Sequence, residues 1–300
     1  MAAKIIDGNA VAEKIQGHLR GEIEELKKAG KPCHLVAVQV GDNPGSRVYI
    51  GSQKKSCEEM GIKYTLDQMA ETTTQQELVR KISSLNDDKN VTGIILQMPL
   101  PTGLDARAVQ ATIAVGKDVE GMNPANMGLV VYNRARLAPC TAMGAVELIK
   151  STGVELYGRE VTVVGHSEIV GKPISLLLLD LFCTTTVCHI ATQNLKAHTL
   201  NADILVVAVG KPGLIKADMV KPGAIVIDIG INRVKEVDAG GKEVLNEKGK
   251  PRMKTVGDVA FEAVSQVAGM ITPVPGGVGP MTVAMLLKNT VTAAKMAAGL

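Results

Sequence analysis

The chain has 300 residues, a length that is typical of about two domains. Hydrophobic residues make up 46% of it and aromatic residues only 2%, so we expect the cores to be aliphatic. Its net charge of +3 is small and evenly spread, which argues against a nucleic-acid partner, and no run of about 18 apolar residues indicates a membrane span. The amino terminus lacks the apolar core of a signal peptide and the five cysteines form no CxxC pair, so we expect a cytoplasmic protein with reduced thiols.

The first half of the chain alternates predicted helices and strands. Asn9 can cap a helix that Gly30 ends, and HLVAVQVG is typical of a buried strand. Helices are predicted over residues 45–60 and 74–85, followed by the apolar run VTGIILQMPLP, which favours a parallel strand. A helix over residues 142–151 then leads into a second unit. This rhythm predicts an open α/β sheet.

The second half has the pattern of a doubly wound, dinucleotide-binding sheet. REVTVVG predicts a strand, residues 171–181 a helix, and TTTVCHI, ADILVVAVG and GAIVIDIGI three further strands. The polar, glycine-rich residues 234–252 predict an exposed hairpin or loop, and residues 283–300 a last helix.

Two glycine-rich turns join a strand to a helix. In VVGHSEIVGKP, Gly165 permits a tight turn, and the helix that starts near Gly171 can offer backbone N–H groups to a pyrophosphate. In TPVPGGVGPMTVAMLL, three glycines allow the backbone to approach a flat ligand, and Pro280 suits the first turn of a helix. The alternative for either turn is a plain strand-to-helix connection.

Candidate ligand-binding side chains occur in three other places. Tyr49 and Gln53 stand four residues apart, so they share one helix face and can address one ligand, whereas Lys54 is turned by about 100°. Gln97 ends a predicted buried strand, and Glu120 lies in KDVEGMNPANMG.

These strings together resemble the methylenetetrahydrofolate dehydrogenase/cyclohydrolase family, from Gly41 to Thr290. The resemblance implies a two-domain α/β protein. An open α/β folate-binding catalytic domain would comprise residues 1–145 and 283–300, and a Rossmann-like doubly wound NAD(P)-binding domain residues 146–282. It also implies that folate and nicotinamide meet between the domains, and that the protein is a homodimer through the nucleotide-binding domain.

The resemblance also implies the site residues. Catalytic roles fall to Tyr49, Gln53, Gln97 and Glu120. These four also bind substrate, together with Leu96, Met98, Pro275, Gly276, Gly277, Val278 and Gly279. The cofactor-binding residues are Gly165, His166, Ser167, Ile190, Ile231 and Thr272. The histidines and cysteines form no metal-ligating cluster, so no metal is expected.

Four of these residues depart from the family pattern. Gln53 stands where the family has a lysine that drives the cyclohydrolase step, and glutamine cannot act as a general base. Glu120 replaces an aspartate. His166 replaces an arginine that contacts the 2′-phosphate of NADP, and Ile190 replaces a polar or basic residue in some relatives, so NADP is favoured less and NAD stays open.

We therefore expect an NAD(P)-dependent 5,10-methylenetetrahydrofolate dehydrogenase that forms 5,10-methenyltetrahydrofolate, with weak or absent cyclohydrolase activity. The first alternative is a bifunctional enzyme that goes on to 10-formyltetrahydrofolate. The second, from another class, is a non-catalytic folate- or nucleotide-binding regulator, which would bind both ligands without turnover.

Overall fold

The computed structural model describes residues 2–238, 242–246 and 249–300. It divides into two compact units. Unit 1 holds the residues up to Val11 and Gly144–Met281, and unit 2 holds Ala12–Met143 and Thr282–Leu300. The boundaries after Met143 and Met281 fall close to those expected from the sequence. The amino-terminal residues differ from the expectation, because they lie with unit 1 and not with the proposed folate-binding domain.

The elements of the described residues are as follows. The strands are β1 (Lys4–Ile5), β2 (His34–Val40), β3 (Lys63–Met69), β4 (Gly93–Leu96), β5 (Glu160–Val164), β6 (Thr184–Cys188), β7 (Ile204–Val207), β8 (Ile225–Asp228), β9 (Asn232–Lys235), β10 (Met253–Val256) and β11 (Met270–Ile271). The α-helices are α1 (Gly8–Lys28), α2 (Pro44–Met60), α3 (Gln75–Asp87), α4 (Ala106–Thr112), α5 (Pro124–Val131), α6 (Cys140–Ser151), α7 (Gly171–Leu179), α8 (Leu195–Leu200), α9 (Phe261–Val264) and α10 (Val278–Ala298).

Unit 1 is built on a six-stranded parallel sheet with the order β1-β11-β8-β7-β5-β6. The chain runs outward from β5 to β6, then returns to add β7, β8 and β11 on the other side. The direction of winding therefore reverses between β5 and β7, which is the place where doubly wound sheets bind their ligands. The pairing of β1 with β11 explains why the amino terminus belongs to this unit.

Unit 2 contains a three-stranded parallel sheet with the order β3-β2-β4. All seven residues of the central strand β2 are buried, so it forms a continuous apolar run apart from His34 and Gln39. Its side chains pack with residues of α3 and β4 in an aliphatic core that includes Leu78, Ile82 and Ile94. The predicted helices and strands of this half are present, while β3, α4 and α5 were not anticipated.

The predicted hairpin or loop over residues 234–252 lies mostly between the antiparallel strands β9 and β10, and its residues 239–241 and 247–248 lie outside the described residues. Two helix ends differ from the sequence-based prediction. The Asp7 carboxylate, and not Asn9, caps α1 by accepting the N–H groups of Asn9 and Ala10 at 2.9 and 3.3 Å. Helix α10 begins at Val278 instead of residue 283, so Gly279 and Pro280 lie in its first turn.

All five cysteines are buried and free. No helix of the described residues has the length and apolarity to cross a membrane.

Candidate functional site

Helix α2 of unit 2 presents Tyr49 and Gln53 one turn apart. The Asn43 side chain caps the helix by accepting the Gly45 N–H at 2.7 Å, and Pro44 occupies its first turn. Tyr49 is 38% exposed, whereas Gln53 is only 6% exposed. Partial burial raises the pKa of the Tyr49 phenol, so this side chain stays protonated at neutral pH.

Gln53 is held in a three-residue polar cluster. Its amide oxygen accepts hydrogen bonds from Gln97 Nε2 at 2.8 Å and from the Tyr64 hydroxyl at 3.3 Å. Gln97 follows the end of β4 and is itself 6% exposed, and Tyr64 comes from β3, the edge strand on the other side of β2. Burial raises the pKa of Tyr64, which keeps it a donor. The cluster thus holds one face of α2 to the sheet without an amine.

The two lysines that follow Gln53 face away from this cluster. Both are exposed, and each pairs with a glutamate one helical turn further on: Lys54 Nζ lies 3.9 Å from Glu58 and Lys55 Nζ 3.8 Å from Glu59. Neither ammonium group therefore takes the place of the lysine that the family has at position 53.

Glu120 lies at the same end of the sheet as Gln97. A parallel bridge joins Ile94 of β4 to Asp118, so Glu120 comes two residues beyond that bridge. The buried Asp118 carboxylate accepts the N–H groups of Gly121 and Asn123 at 3.1 and 2.7 Å, and so shapes the turn. Asp118 is consequently a structural residue.

The Glu120 carboxyl itself receives no hydrogen bond from the described residues of the chain. The side chain is partly buried. Burial, together with the negative charge of Asp118, raises the pKa of Glu120 to about 8. At neutral pH Glu120 therefore carries its proton, and can both donate and accept a hydrogen bond.

The remaining predicted substrate residues have different surroundings. Leu96 is fully buried in the core of unit 2, whereas the Met98 side chain is 41% exposed. Residues 275–279 belong to unit 1. There Gly276 has a φ of +103°, and a Cβ on Gly277 would lie 2.6 Å from the Pro273 carbonyl oxygen. Gly279 is helical with open space around it, so it does not need to be glycine for steric reasons.

In unit 1 the turn from β5 to α7 is closed around two glycines. Gly165 has a φ of +124°, and a Cβ there would lie 2.3 Å from the Ala208 carbonyl oxygen, next to β7. A Cβ on Gly171 would lie 2.1 Å from the Gly165 carbonyl oxygen. Ser167 Oγ accepts the Val170 N–H at 3.2 Å, and no side chain caps α7. In the first turn of α7 the Lys172 N–H donates to the Ser167 carbonyl oxygen at 2.9 Å and Pro173 has no N–H, which leaves the Gly171 N–H for an anion among the described residues.

Side chains at the ends of β5 and β6 are exposed. The rings of His166 and His189 lie 5.1 Å apart, and Ile190 is fully exposed. Ile190 offers no polar group at this point.

Residues 139–298 match the family model described as the tetrahydrofolate dehydrogenase/cyclohydrolase NAD(P)-binding domain, and residues 6–120 match the catalytic domain of the same family. The chain belongs to the tetrahydrofolate dehydrogenase/cyclohydrolase family. The resemblance found in the sequence is thereby confirmed, and so is the expectation of an NAD(P) cofactor.

Relatives of this family match along almost the whole chain. Bifunctional protein FolD of Acetivibrio thermocellus is 47% identical and covers 99% of both chains. The solved structure of the bifunctional FolD dehydrogenase/cyclohydrolase from Campylobacter jejuni has a TM-score of 0.90 and 42% identity, and covers 98% of this chain and 99% of that one. The Trypanosoma brucei FolD structure, complexed with NADP cofactor and inhibitor, has a TM-score of 0.91 and 34% identity, with full coverage of both. These matches confirm the two-domain α/β fold.

The residues of unit 1 fit the NAD(P) cofactor of the family. The uncapped helix α7 starts beside the glycine turn, at the reversal between β5 and β7 where a dinucleotide is expected. Among the described residues, no group of three or more histidine, cysteine, aspartate or glutamate side chains is arranged to hold a metal ion.

Two buried aspartates in unit 1 were missed by the sequence analysis. Asp258 accepts the N–H groups of Val209 and Gly210 at 2.7 and 2.9 Å and the Asn232 amide at 2.8 Å. Asp228 accepts the Asp258 N–H at 3.0 Å, and burial raises its pKa to about 6. The strings IDIG and GDV, each an aspartate within two residues of a glycine after an apolar or extended run, were the only signal.

Two predicted cofactor residues are fixed by this aspartate network. Ile231 is 53% exposed, and the residues on both sides of it are held, Gly230 by Asp228 and Asn232 by Asp258. Thr272 is fully buried, and its hydroxyl accepts the Asp228 N–H at 2.8 Å. The Thr272 side chain therefore stabilises the end of β8 and is not exposed to a cofactor.

Proposed function

We propose that this chain catalyses the NAD(P)-dependent oxidation of 5,10-methylenetetrahydrofolate to 5,10-methenyltetrahydrofolate. The observation that carries the proposal is the Glu120 carboxyl, which receives no hydrogen bond from a described residue and which lies at the same sheet end as Gln97, the donor to Gln53. A pterin ring is flat and rich in hydrogen-bond donors and acceptors, so a protonated carboxyl and a buried amide are suitable partners for it.

The proposed roles follow from the protonation states and exposure. Glu120 would bind the ring, and the Gln97 amide would fix its orientation. The partly exposed Tyr49 would contact the folate, with Met98 beside it. NAD(P), when bound, supplies the carbon that accepts a hydride from the methylene bridge. Since hydride transfer moves no proton, this step needs no titratable group at position 53.

Residues of the β5–α7 turn would hold the cofactor. Its pyrophosphate would accept the Gly171 N–H at the start of α7, beside Gly165 and Ser167. His166, with His189 beside it, would lie near the 2′ position of the ribose, where Ile190 adds no charge. NADP and NAD therefore both remain candidates. The family's pattern and the NADP complex of the Trypanosoma brucei relative favour NADP.

The relatives support a second activity. They are named bifunctional, which favours the bifunctional alternative, in which water attacks the methenyl carbon to give 10-formyltetrahydrofolate, over the expectation of weak or absent cyclohydrolase. The second candidate function is therefore a bifunctional enzyme whose cyclohydrolase step is slow, and one observation favours the slow rate. Position 53 carries a neutral amide already engaged by two donors, and Lys54 and Lys55 face elsewhere.

A two-signal assay tests the function. Purified protein is mixed with methylenetetrahydrofolate and either NAD or NADP, and reduced nicotinamide and methenyltetrahydrofolate are followed together. A parallel rise of both signals indicates dehydrogenase with slow cyclohydrolase, and rapid clearance of methenyltetrahydrofolate indicates the bifunctional enzyme. Saturable ligand binding without either signal would overturn the proposal in favour of the regulator.

The substitution Gln53→Lys tests the second candidate. A lysine amine can transfer a proton, and such groups contribute about 10²- to 10⁴-fold, so cyclohydrolase activity should rise at least tenfold. Lys54→Gln is the matched control, because it changes the same pair of residue types on a side chain that faces away. An unchanged rate in folded Gln53→Lys protein would show that position 53 does not limit this step.

We also propose a homodimer formed through unit 1. Strand β6 is an edge of its sheet, and edge strands offer unpaired N–H and C=O groups. Beside it, Tyr157 and Phe182 are 71% and 70% exposed, with ring centroids 5.4 Å apart. Sedimentation of the protein and of Phe182→Asp tests this. The parent should sediment as a dimer and the variant as a monomer. Cytoplasmic location stays a prediction.

A further inference from the structure

The position of the Glu120 carboxyl depends on its backbone. No described residue forms a hydrogen bond with the side chain, so nothing beyond the residue's own rotamer directs it. The turn that carries Glu120 is shaped on one side by Asp118, which accepts the Gly121 and Asn123 N–H groups. What fixes the other side is a residue far away in the sequence.

That residue is Asn289, in the carboxyl-terminal helix α10. It is 1% exposed, on a helix that is otherwise mostly apolar, and a buried amide in such surroundings requires partners. Its Nδ2 donates to the carbonyl oxygens of Val119 at 2.8 Å and Ala138 at 3.0 Å, and lies 3.5 Å from Cys140 Sγ. The Asn289 amide therefore joins two segments, the one that ends at Val119 just before Glu120 and the one that contains Ala138 and Cys140.

Other contacts bring the same two segments together. The Cys140 thiol donates to the Val119 carbonyl oxygen at 3.2 Å, and the Cys140 N–H donates to the Glu120 carbonyl oxygen at 3.4 Å. Gly121 has a φ of +75°, and a Cβ there would lie 2.2 Å from the Ala138 carbonyl carbon. The residues on both sides of Glu120 are thus fixed against residues 138–140, with Asn289 bonded to both segments.

We infer that Asn289 is a positioning residue for substrate binding, which acts by holding the Glu120 backbone so that the carboxyl meets the folate ring. The inference rests on the proposed function. Without the amide, the Val119 and Ala138 carbonyl groups lose a shared donor and the two segments can separate. A displacement of about 1 Å at a reacting centre can lower the rate by up to about 100-fold.

The test is steady-state dehydrogenase kinetics of Asn289→Ala. We expect kcat/KM for methylenetetrahydrofolate to fall about tenfold, while KM for NAD(P) stays within about twofold of the parent. The matched control is Thr290→Val on the same helix. Thr290 is fully buried, but its hydroxyl donates only to its own helix, to the Leu286 carbonyl oxygen at 2.8 Å. This variant should keep both constants.

A double-substitution cycle separates positioning from general damage. In a Glu120→Gln background, Asn289→Ala should lower kcat/KM less than twofold further, because the group it positions is already altered. The inference would be overturned if the double variant lost the product of the two single-variant losses in kcat/KM, or if Asn289→Ala raised KM for NAD(P) by the same factor by which it lowers kcat/KM for folate. If Asn289→Ala does not fold, Cys140→Ala replaces it. That variant removes one donor to Val119 and should give a smaller fall with the same selectivity for folate.

The outcomes also distinguish the inference from the proposed function. If the parent protein has no dehydrogenase activity, the proposed function fails. If the parent is active and Asn289→Ala behaves like Thr290→Val, only the role of Asn289 fails.

Discussion

The proposed substrate residues of unit 2 and the proposed cofactor residues of unit 1 are positioned in opposite ways. In unit 2, Gln53 and Gln97 are buried side chains joined by a hydrogen bond. In unit 1, His166 is an exposed side chain on the β5–α7 turn, whose shape is set by backbone contacts at Gly165, and Ile190 is an exposed side chain that follows β6. The proposed substrate site thus depends on hydrogen bonds between side chains, and the proposed cofactor site depends on glycine at position 165.

This difference separates the consequences of substitution. Replacing a buried polar residue leaves its partners unsatisfied, so stability and chemistry change together. Replacing an exposed residue on a rigid turn changes only what the turn binds, and leaves the fold intact. The exceptions in unit 1 are Gly165 and Gly171, because a Cβ at either position would overlap backbone atoms.

The largest effect is expected for Gly165→Ala. The new Cβ would lie 2.3 Å from the Ala208 carbonyl oxygen, at a φ of +124° that alanine disfavours. Overpacking and backbone strain each cost about 1–3 kcal/mol, so the free energy of unfolding should fall by about 4 kcal/mol. Denaturant unfolding measures this loss, and KM for NAD(P) should rise as the β5–α7 turn moves.

The matched control for Gly165→Ala is Gly158→Ala in the same unit. Gly158 also has a positive φ, +74°, but nothing lies within 4 Å of its Cβ position. Backbone conformation alone should cost about 1–2 kcal/mol there, with no change in KM for NAD(P). Equal losses in the two variants would mean that the close approach to Ala208 contributes nothing.

A smaller, pH-dependent effect is expected for Glu120→Gln. The pKa of Glu120 is about 8 in the folded chain and about 4.3 when unfolded, so between these values the folded state binds the extra proton. The stability that this proton contributes is lost as the pH rises. The parent should lose about 2–3 kcal/mol relative to Glu120→Gln between pH 5 and pH 7.

Chemical denaturation of both proteins at pH 5, 6 and 7 measures this difference. The difference should level off above pH 8, where Glu120 is ionised in both states. Parallel stability curves across the whole range would show that Glu120 titrates normally, and its use as a hydrogen-bond donor would then have to be abandoned.

Continuous burial made much of the fold predictable from the sequence. The residues of β2, β7 and β8 are all buried, so they produce apolar runs that indicate parallel strands. Strand β3 was missed because it lies at a sheet edge, where KYTLDQM mixes exposed and partly buried residues without a clear apolar face. Strand β1 is too short, at two residues, to produce a pattern.

Site residues could be predicted where they lie close together in the sequence. They could not be predicted where their contacts come from residues far away in the sequence. Tyr49 and Gln53 share a helix face by spacing alone. Tyr64 reaches Gln53 only because β3 exists, and the contacts of Asn289 span 151 and 170 residues. The raised pKa of Glu120 likewise depends on the burial of its loop beside Asp118, which no spacing reveals.

The smallest effect, and the sharpest test of the exposed site, is expected for His166→Arg. Arginine carries a permanent charge and a bidentate fork, so it binds a phosphate group more strongly than a neutral imidazole does. The ratio of kcat/KM for NADP to that for NAD should rise about tenfold, equivalent to about 1.4 kcal/mol, without a change in stability. Asn201→Arg is the control, because it adds the same charge at an exposed position before β7, at the end of the sheet opposite to His166. If both variants shift the ratio equally, the effect is one of net charge. If neither does, His166 does not lie at the 2′-phosphate, and cofactor choice is made elsewhere.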